Sequence, residues 1–178
     1  MNQLIKEVVE KVYIQQNFEF FVSSCNKKVE FIDELLKEMK TICEAVEVYP
    51  SISEPAFEIR LTVNTAKPKG IKIVYTSIII VSKLANCFYL QHEFEIENPD
   101  PDRMDYHLDS FRDEPYNKQQ FRIEQMIIDF LKKEGYFRLS YSETEEICPN
   151  IRKFREEPDS QMTVGNALFM DFWELCGE

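Results

Sequence analysis

Nine carboxylates between residues 93 and 114 are the side chains of this sequence best placed to do chemistry. Only Arg103 and Arg112 oppose them in that stretch, so it carries a large negative charge. Such a cluster suits docking of a basic protein, binding of a divalent cation or acid–base catalysis, or plain solvation of an exposed face. The carboxylates are Glu93, Glu95, Glu97, Asp100, Asp102, Asp105, Asp109, Asp113 and Glu114.

The spacing of these acids favours a docking surface over a metal site. It does not match the EF-hand loop, and no second cluster of histidines and acids with ligand spacing accompanies it. Glu93, Glu95 and Glu97 alternate along a predicted strand, so their side chains share one face about 7 Å apart and repel each other. A basic partner would offset that repulsion, and a patch of one sign also speeds encounter and rejects wrong partners.

Aromatic residues lie among the acids at Tyr106, Phe111 and Tyr116. Aromatic side chains supply buried area in protein–protein interfaces while charges orient the partners. The same rings would equally suit anchors that hold a long loop to the protein's own core, so both interpretations stay open. The predicted partner-binding residues are Glu93, Glu95, Glu97, Asp100, Asp102, Asp105, Tyr106, Asp109, Phe111 and Asp113.

The two histidines give weak indications of catalysis. His92 falls on the apolar face of its predicted strand, where a neutral, hydrogen-bonded histidine is more common than a catalytic base. His107 lies among aspartates, which favour its charged form. Cys87 is five residues before His92, so the two side chains face opposite sides of one strand and do not form a simple dyad.

The sequence lacks the motifs of the common catalytic classes. Neither GxSxG nor SxxK occurs, and the four glycines do not form a phosphate-binding loop of the GxxxxGK[ST] or GxGxxG type. The missing motifs therefore argue against nucleotide-dependent chemistry through a glycine loop. We expect a protein without a cofactor or metal and without enzymatic activity.

The composition limits the classes of binding partner and the cellular location that the sequence predicts. The net charge of −11 repels nucleic acid and anionic membranes and attracts basic proteins. Lys6 and Glu7 interrupt the apolar N-terminal residues, which is not typical of a signal peptide, and the longest uncharged run is about half of the roughly 20 residues that a membrane helix needs. These features predict a cytoplasmic location. The five scattered cysteines, without CxxC, predict mostly buried free thiols.

Three consecutive strands with short connections predict an antiparallel meander over residues 56–97. Residues 57–63 alternate apolar and polar, and residues 73–82 carry no charge and are rich in β-branched side chains, which favours a strand buried on both faces. Residues 87–97 again have a period of two. A short fourth strand is predicted over residues 137–141, at an unspecified place in the sheet.

Helical spacing of apolar residues predicts helices over residues 4–16, 26–46 and 118–134. The same spacing predicts another helix over residues 163–176, although Phe169, Met170, Phe172 and Trp173 would also suit a strand. Ser24 or Asn26 would cap the second helix, while Asn117 would start the third and Gly135 would end it. The proline- and aspartate-rich residues 98–116 predict a long loop of the kind that is often functional or mobile.

These features together predict one α+β domain over residues 1–178, with an antiparallel sheet of three to four strands packed by helices from both termini and by the helix at 118–134. The helices at 4–16, 26–46 and 118–134 are expected on one side of the sheet, and the C-terminal helix at one edge. The leading function is an acidic binding protein that neutralises a basic partner such as a toxin, as bacterial immunity proteins and nuclease inhibitors do, with the chain a monomer or homodimer. This comparison rests on size, acidity and missing catalytic motifs. The alternatives are an enzyme that uses carboxylates with His92 or His107 in a cleft, and a structural homo-oligomer.

Overall fold

A computed structural model describes residues 1–49, 54–68, 71–97, 107–152 and 161–170. The protein has an α+β fold built on an antiparallel meander, as the sequence predicted. In the described part of the chain, five strands lie in chain order and a short sixth strand pairs in parallel with the fourth, so the sheet there holds six strands instead of three to four. They are β1 (Ala45–Tyr49), β2 (Ala56–Ala66), β3 (Ile73–Ser82), β4 (Cys87–Glu97), β5 (His107–Arg112) and β6 (Phe137–Leu139).

Strands β2, β3 and β4 confirm the meander over residues 56–97. Ile79 at the centre of β3 lies opposite Ile59 of β2 and Leu90 of β4, and all three side chains are fully buried. Strand β4 is buried on both faces over its first four residues, whereas Glu95 and Glu97 near its end are exposed. One end of the sheet is therefore enclosed and the other is open to solvent.

Two strands lie where a helix and a loop were predicted. The helix expected over residues 26–46 is wrong at both ends: α3 spans only Ile32–Met39, and β1 follows because Ala45–Tyr49 alternates with a period of two and pairs with β2. Neither predicted cap starts α3, since Ser24 lies within the preceding helix and Asn26 follows its end. The loop expected over residues 98–116 contains β5, which pairs antiparallel with β4.

The helices are short apart from the predicted one after residue 117. Asn117 caps α4 by accepting hydrogen bonds from the amides of Gln119 and Gln120, and Gly135 ends it with a positive φ of 81°. The first predicted helix is α1, which continues as a π-helical turn over Glu10–Ile14. The helices are α1 (Gln3–Val9), α2 (Phe18–Cys25), α3, α4 (Lys118–Lys133), α5 (Tyr141–Thr144) and α6 (Val164–Phe169).

The C-terminal predictions hold in part. The short strand expected over residues 137–141 is β6, but Tyr141 begins α5 instead of extending the strand. The helix expected over residues 163–176 is α6, which ends at Phe169 because Met170 is extended; residues 171–176 lie outside the described part of the chain. A separate antiparallel pair, β7 (Ile147–Arg152) and β8 (Gln161–Thr163), precedes α6.

The helices pack in two separate hydrophobic cores and not in one layer on the sheet. On one side of the sheet, which we name the helix face, α3 and α4 pack on the inward side chains of β2, β3 and β4. Helices α1, α2 and α6 pack instead with the turn at Leu84 and Ala85, with Cys87 and with Leu139. The N-terminal helix was expected in one layer with α3 and α4. It belongs to this second core instead. Cys25, Cys87 and Cys148 are buried there.

Candidate functional site

The β4–β5 pairing brings four of the predicted binding residues together on the face opposite α3 and α4. Glu95 lies directly opposite Asp109, and Glu93 lies opposite Phe111. Residues directly opposite in an antiparallel pair point to the same face with neighbouring Cβ atoms, so the like charges of Glu95 and Asp109 are adjacent. We name Glu93, Glu95, Asp109 and Phe111 the acidic face.

Strand β5 presents this face at the margin of the sheet. It is the last strand in the sheet order, and Asp109, Ser110, Phe111 and Arg112 are all exposed. Phe111 keeps 64% of its surface accessible, a higher fraction than the other exposed large apolar side chains of the described residues. An exposed aromatic ring beside carboxylates has the composition of a protein-binding patch.

Other groups of the chain partly offset the charges of Glu93 and Glu97. The Glu97 carboxylate lies 3.8 Å from the Lys72 ammonium, with both side chains largely exposed. Gln91 donates a 3.0 Å hydrogen bond to Glu93. Burial raises the pKa of the Glu93 carboxyl, and the positive charge of Arg60 acts in the opposite direction. Glu95 and Asp109 are the more exposed pair of the acidic face.

Asp113, another of the predicted binding residues, lies apart from the acidic face. Asp113 follows β5, and its carboxylate accepts a 3.0 Å hydrogen bond from the amide of Tyr141, so it ties β5 to α5 and is not part of the acidic face. Asp100, Asp102, Asp105 and Tyr106 lie outside the described residues. The backbone of His107 pairs with Glu97 at the start of β5, and its side chain is also outside the described part.

His92 occupies a fully buried position on the helix face. Its Nδ1 atom shares a 2.8 Å hydrogen bond with the hydroxyl of Ser77, which is equally buried on β3. Its Nε2 atom lies 3.7 Å from Oε1 of Glu124 on α4, beyond hydrogen-bond distance, and has no partner among the described residues. The sequence placed His92 on this face correctly, but nothing in it indicated the contact with Glu124.

Glu124 is a buried carboxylate held by a guanidinium. Arg138 of β6 donates to Glu124 Oε1 at 2.6 Å and to the carbonyl of Asp113 at 2.8 Å. Burial raises the pKa of the Glu124 carboxyl, but the contact with His92 and the charge of Arg138 outweigh burial, so the pKa lies below its ordinary value. Glu124 is therefore ionised at neutral pH.

Gln120 fixes α4, and with it Glu124, against the sheet. It lies one turn before Glu124 and is fully buried. Its side-chain amide donates to the carbonyls of Thr76 and Glu93 at 2.9 and 3.0 Å, and its oxygen accepts from the amide of Tyr116 at 2.9 Å. The nitrogen and the oxygen of the side-chain amide both have hydrogen-bond partners, and these bonds fix the position of α4 along β3 and β4.

A cleft of about 460 Å³ opens beside Glu124. It lies where β5 and β6 meet along the same edge of β4, since β5 ends opposite His92 and β6 ends opposite Tyr89. Four carboxylates, one guanidinium and the exposed ring of Phe121 line it. The charged residues are Asp113, Glu114, Glu124, Glu143 and Arg138.

Neither region has the ligand set of a metal site. Among the described residues, no group of three or more histidine, cysteine, aspartate or glutamate side chains is arranged to hold a metal ion. Within the same residues, no helix has the length and apolarity needed to cross a membrane.

The comparisons with known proteins give no match. The sequence matches no protein-family model, and searches of curated proteins and of solved structures give no match.

Proposed function

We propose that the protein is an acidic binding protein that docks to a basic protein partner through the acidic face. One observation carries this proposal: the exposed Phe111 ring lies on an edge strand whose neighbouring side chains on the same face are carboxylates. An apolar ring supplies area that is desolvated on binding, and surrounding carboxylates select a partner of positive charge.

The like-charge pair of Glu95 and Asp109 supports the same function. Like charges directly opposite each other on adjacent strands weaken the pairing slightly, and a positive charge between them would offset this effect. A lysine or arginine of a partner placed between them converts this repulsion into attraction. Because both residues are exposed, the partner reaches them without rearrangement of the sheet.

The partner class is a basic protein of the kind neutralised by immunity proteins and nuclease inhibitors. This choice rests on the chain's net charge of −11 and on the acidic face. A surface of one sign accelerates association at low salt, and the acceleration falls as salt screens it. Binding through the acidic face should therefore weaken steeply with ionic strength.

The test is affinity capture from the organism of origin with the purified chain as bait. The triple variant Glu95→Gln/Asp109→Asn/Phe111→Ala should lose a basic protein that the wild type retains at low salt. The control Glu30→Gln/Asp129→Asn removes the same number of exposed charges, two, from the α3–α4 side and should keep it. Equal capture by the two variants, or capture that salt does not weaken, would contradict the proposal.

A carboxylate- and histidine-based hydrolase is the second candidate, and one observation favours it. His92 Nε2 lies 3.7 Å from Glu124 Oε1, and Glu124 lines the cleft. Complete burial of the imidazole weighs against it, because a general base must come within hydrogen-bond distance of the proton that it removes from a substrate. Turnover of chromogenic esters or glycosides by the wild type and not by Glu124→Gln would establish this activity, and turnover equal to buffer counts against it.

A further inference from the structure

His92 contains a buried atom that lacks a hydrogen-bond partner. The imidazole is fully buried, and its Nε2 is the one buried side-chain nitrogen or oxygen without a partner in the part of the chain that the structure describes. A buried polar atom costs free energy when nothing satisfies it. A partner lies close by, because Oε1 of Glu124 is 3.7 Å from Nε2. A movement of about 1 Å would bring the two atoms to ordinary hydrogen-bond distance.

Ser77 can hold the imidazole in either of its protonation states. Its hydroxyl lies 2.8 Å from Nδ1 of His92, and a hydroxyl both donates and accepts hydrogen bonds. In the neutral state the hydroxyl donates to Nδ1, which leaves the ring proton on Nε2. In the charged state Nδ1 carries a proton and donates to the same hydroxyl. His92 can therefore gain a proton without losing its contact with β3.

The Oε1 atom of Glu124 lies between two positive groups once His92 is charged. The guanidinium of Arg138 already donates to this oxygen at 2.6 Å. A charged imidazole attracts the carboxylate more strongly than a neutral one does, and it repels the guanidinium. Both effects favour a movement of Oε1 toward His92 and a longer contact with Arg138.

Arg138 carries this change to the end of β5. The same guanidinium donates to the carbonyl of Asp113 at 2.8 Å, and Asp113 directly follows β5. Arg138 itself belongs to β6, which pairs with β4. The guanidinium thus links α4 and β6 to the end of β5, and loss of its contact with Glu124 would loosen that link.

His92 is the group in this cluster whose side-chain type changes charge between pH 5 and 8. Arg112 of β5 lies opposite it on the same face of the sheet, where its guanidinium is bound to two backbone carbonyls and lies over the ring of Tyr116. From α4 come Glu124 and the uncharged Gln120, whose amide has its own partners. The cleft beside Glu124 adds three further carboxylates, those of Asp113, Glu114 and Glu143.

We propose that His92, Glu124 and Arg138 form a pH-sensitive switch, in which protonation of His92 draws the Glu124 carboxylate away from Arg138 and loosens the end of β5. With the imidazole neutral, Glu124 holds Arg138 at the observed 2.6 Å. With the imidazole charged, Glu124 bonds to Nε2, and the guanidinium keeps its contact with the Asp113 carbonyl. The switch lies in the interior of the protein and does not depend on the partner-binding function.

A pH titration of the ¹⁵N-labelled protein tests the switch without any variant. Between pH 8 and 5 the imidazole nitrogens of His92 should titrate, and the guanidinium signals of Arg138 and the amide signal of Glu114 should shift with the same midpoint. An imidazole that stays in one protonation state over this range would overturn the switch. A His92 titration that leaves the Arg138 signals unchanged would overturn it as well.

Single variants separate the switch from other titrations. His92→Gln replaces the imidazole with an uncharged amide, so the shift of the Arg138 signals should be lost. His107→Gln removes the chain's other histidine and should leave that shift as it is in the wild type. Glu93→Gln is a second control, because burial raises the pKa of the Glu93 carboxyl, which lies on the opposite face of the sheet. The same shift in the wild type and in His92→Gln would contradict the switch.

Ser77→Ala should move the midpoint of the Arg138 shift to lower pH, by about half a pH unit or more. The charged imidazole loses a charge-assisted hydrogen bond in this variant, whereas the neutral imidazole loses a weaker one. The charged state is therefore destabilised more than the neutral state. A midpoint that is unchanged or higher would contradict the place of Ser77 in the switch.

Discussion

The acidic face and the cleft have the same kind of charge in opposite surroundings. Glu95 and Asp109 are exposed and lie side by side on adjacent strands. Glu124 is buried and is paired with Arg138, with His92 behind it. Water screens the exposed carboxylates, so they contribute little to stability. The buried carboxylate depends on its neighbours, so its removal should affect the fold first.

Glu124→Ala should produce the largest loss of stability in this comparison. It leaves the Arg138 guanidinium without its carboxylate, and breaking a buried pair from one side costs about 3 kcal/mol. Urea denaturation at pH 7 measures the change. Glu114→Ala, at an exposed position of the same cleft, serves as the control and should cost less than about 0.5 kcal/mol. Equal losses in the two variants would remove the distinction between the regions.

Low pH should remove the contribution of Glu124 to the stability of the fold. Because its pKa is lowered in the folded protein from the ordinary value of 4.5, its stabilising effect is complete above that value and is lost as the pH falls through the folded pKa. The stability difference between wild type and Glu124→Gln should therefore shrink below pH 4.5. Urea titrations at a series of pH values measure it, and a difference that stays constant down to pH 2 would contradict the assignment.

The contribution of Glu93 to stability should depend on pH with the opposite sign. Burial raises its pKa above the ordinary value, so the ionised form is penalised in the folded protein at pH values above the folded pKa, and the penalty is absent below 4.5. Glu93→Gln should therefore stabilise the protein at pH 7 by less than about 0.5 kcal/mol, because water screens the half-exposed carboxylate, and the gain should vanish at pH 4. A variant that is less stable than the wild type at pH 7 would show that the contact with Gln91 outweighs the burial.

Removal of the exposed ion pair should have the smallest effect. Glu97 and Lys72 are 3.8 Å apart with both side chains largely exposed, and such pairs contribute about 0.5 kcal/mol or less. Thermal unfolding of Glu97→Gln should match that of the wild type within this limit. A loss near that of Glu124→Ala would show that the open end of the sheet is more rigid than its exposure indicates.

The parts of the fold that follow from local pattern were predictable. Strands β2 to β4 show a period of two or an uncharged apolar run, and α4 has both a cap and a terminating glycine. Strand β1 was missed because Val46 also continues the helical spacing of α3, although its alternation was a usable signal. Strand β5 was missed because an edge strand exposed on both sides has little apolar pattern.

The candidate site was predictable only where it lies along one strand. The shared face of Glu93 and Glu95 follows from strand periodicity, but the pairing of Glu95 with Asp109 depends on the register of β5. The contact of His92 with Glu124 joins residues 32 positions apart, which no local pattern indicates. One signal was available: Glu124 lies on the same stripe of α4 as the buried Gln120, Ile127 and Leu131. A charged residue on a buried stripe predicts a buried partner.

The salt dependence of binding to the captured partner tests the central claim most directly. The dissociation constant should rise steeply with ionic strength for the wild type, and Glu95→Gln/Asp109→Asn should both weaken binding at low salt and flatten that dependence. The control Glu30→Gln/Asp129→Asn should leave the salt dependence close to that of the wild type. Identical salt dependence in the wild type and both variants would contradict a role for the acidic face in docking.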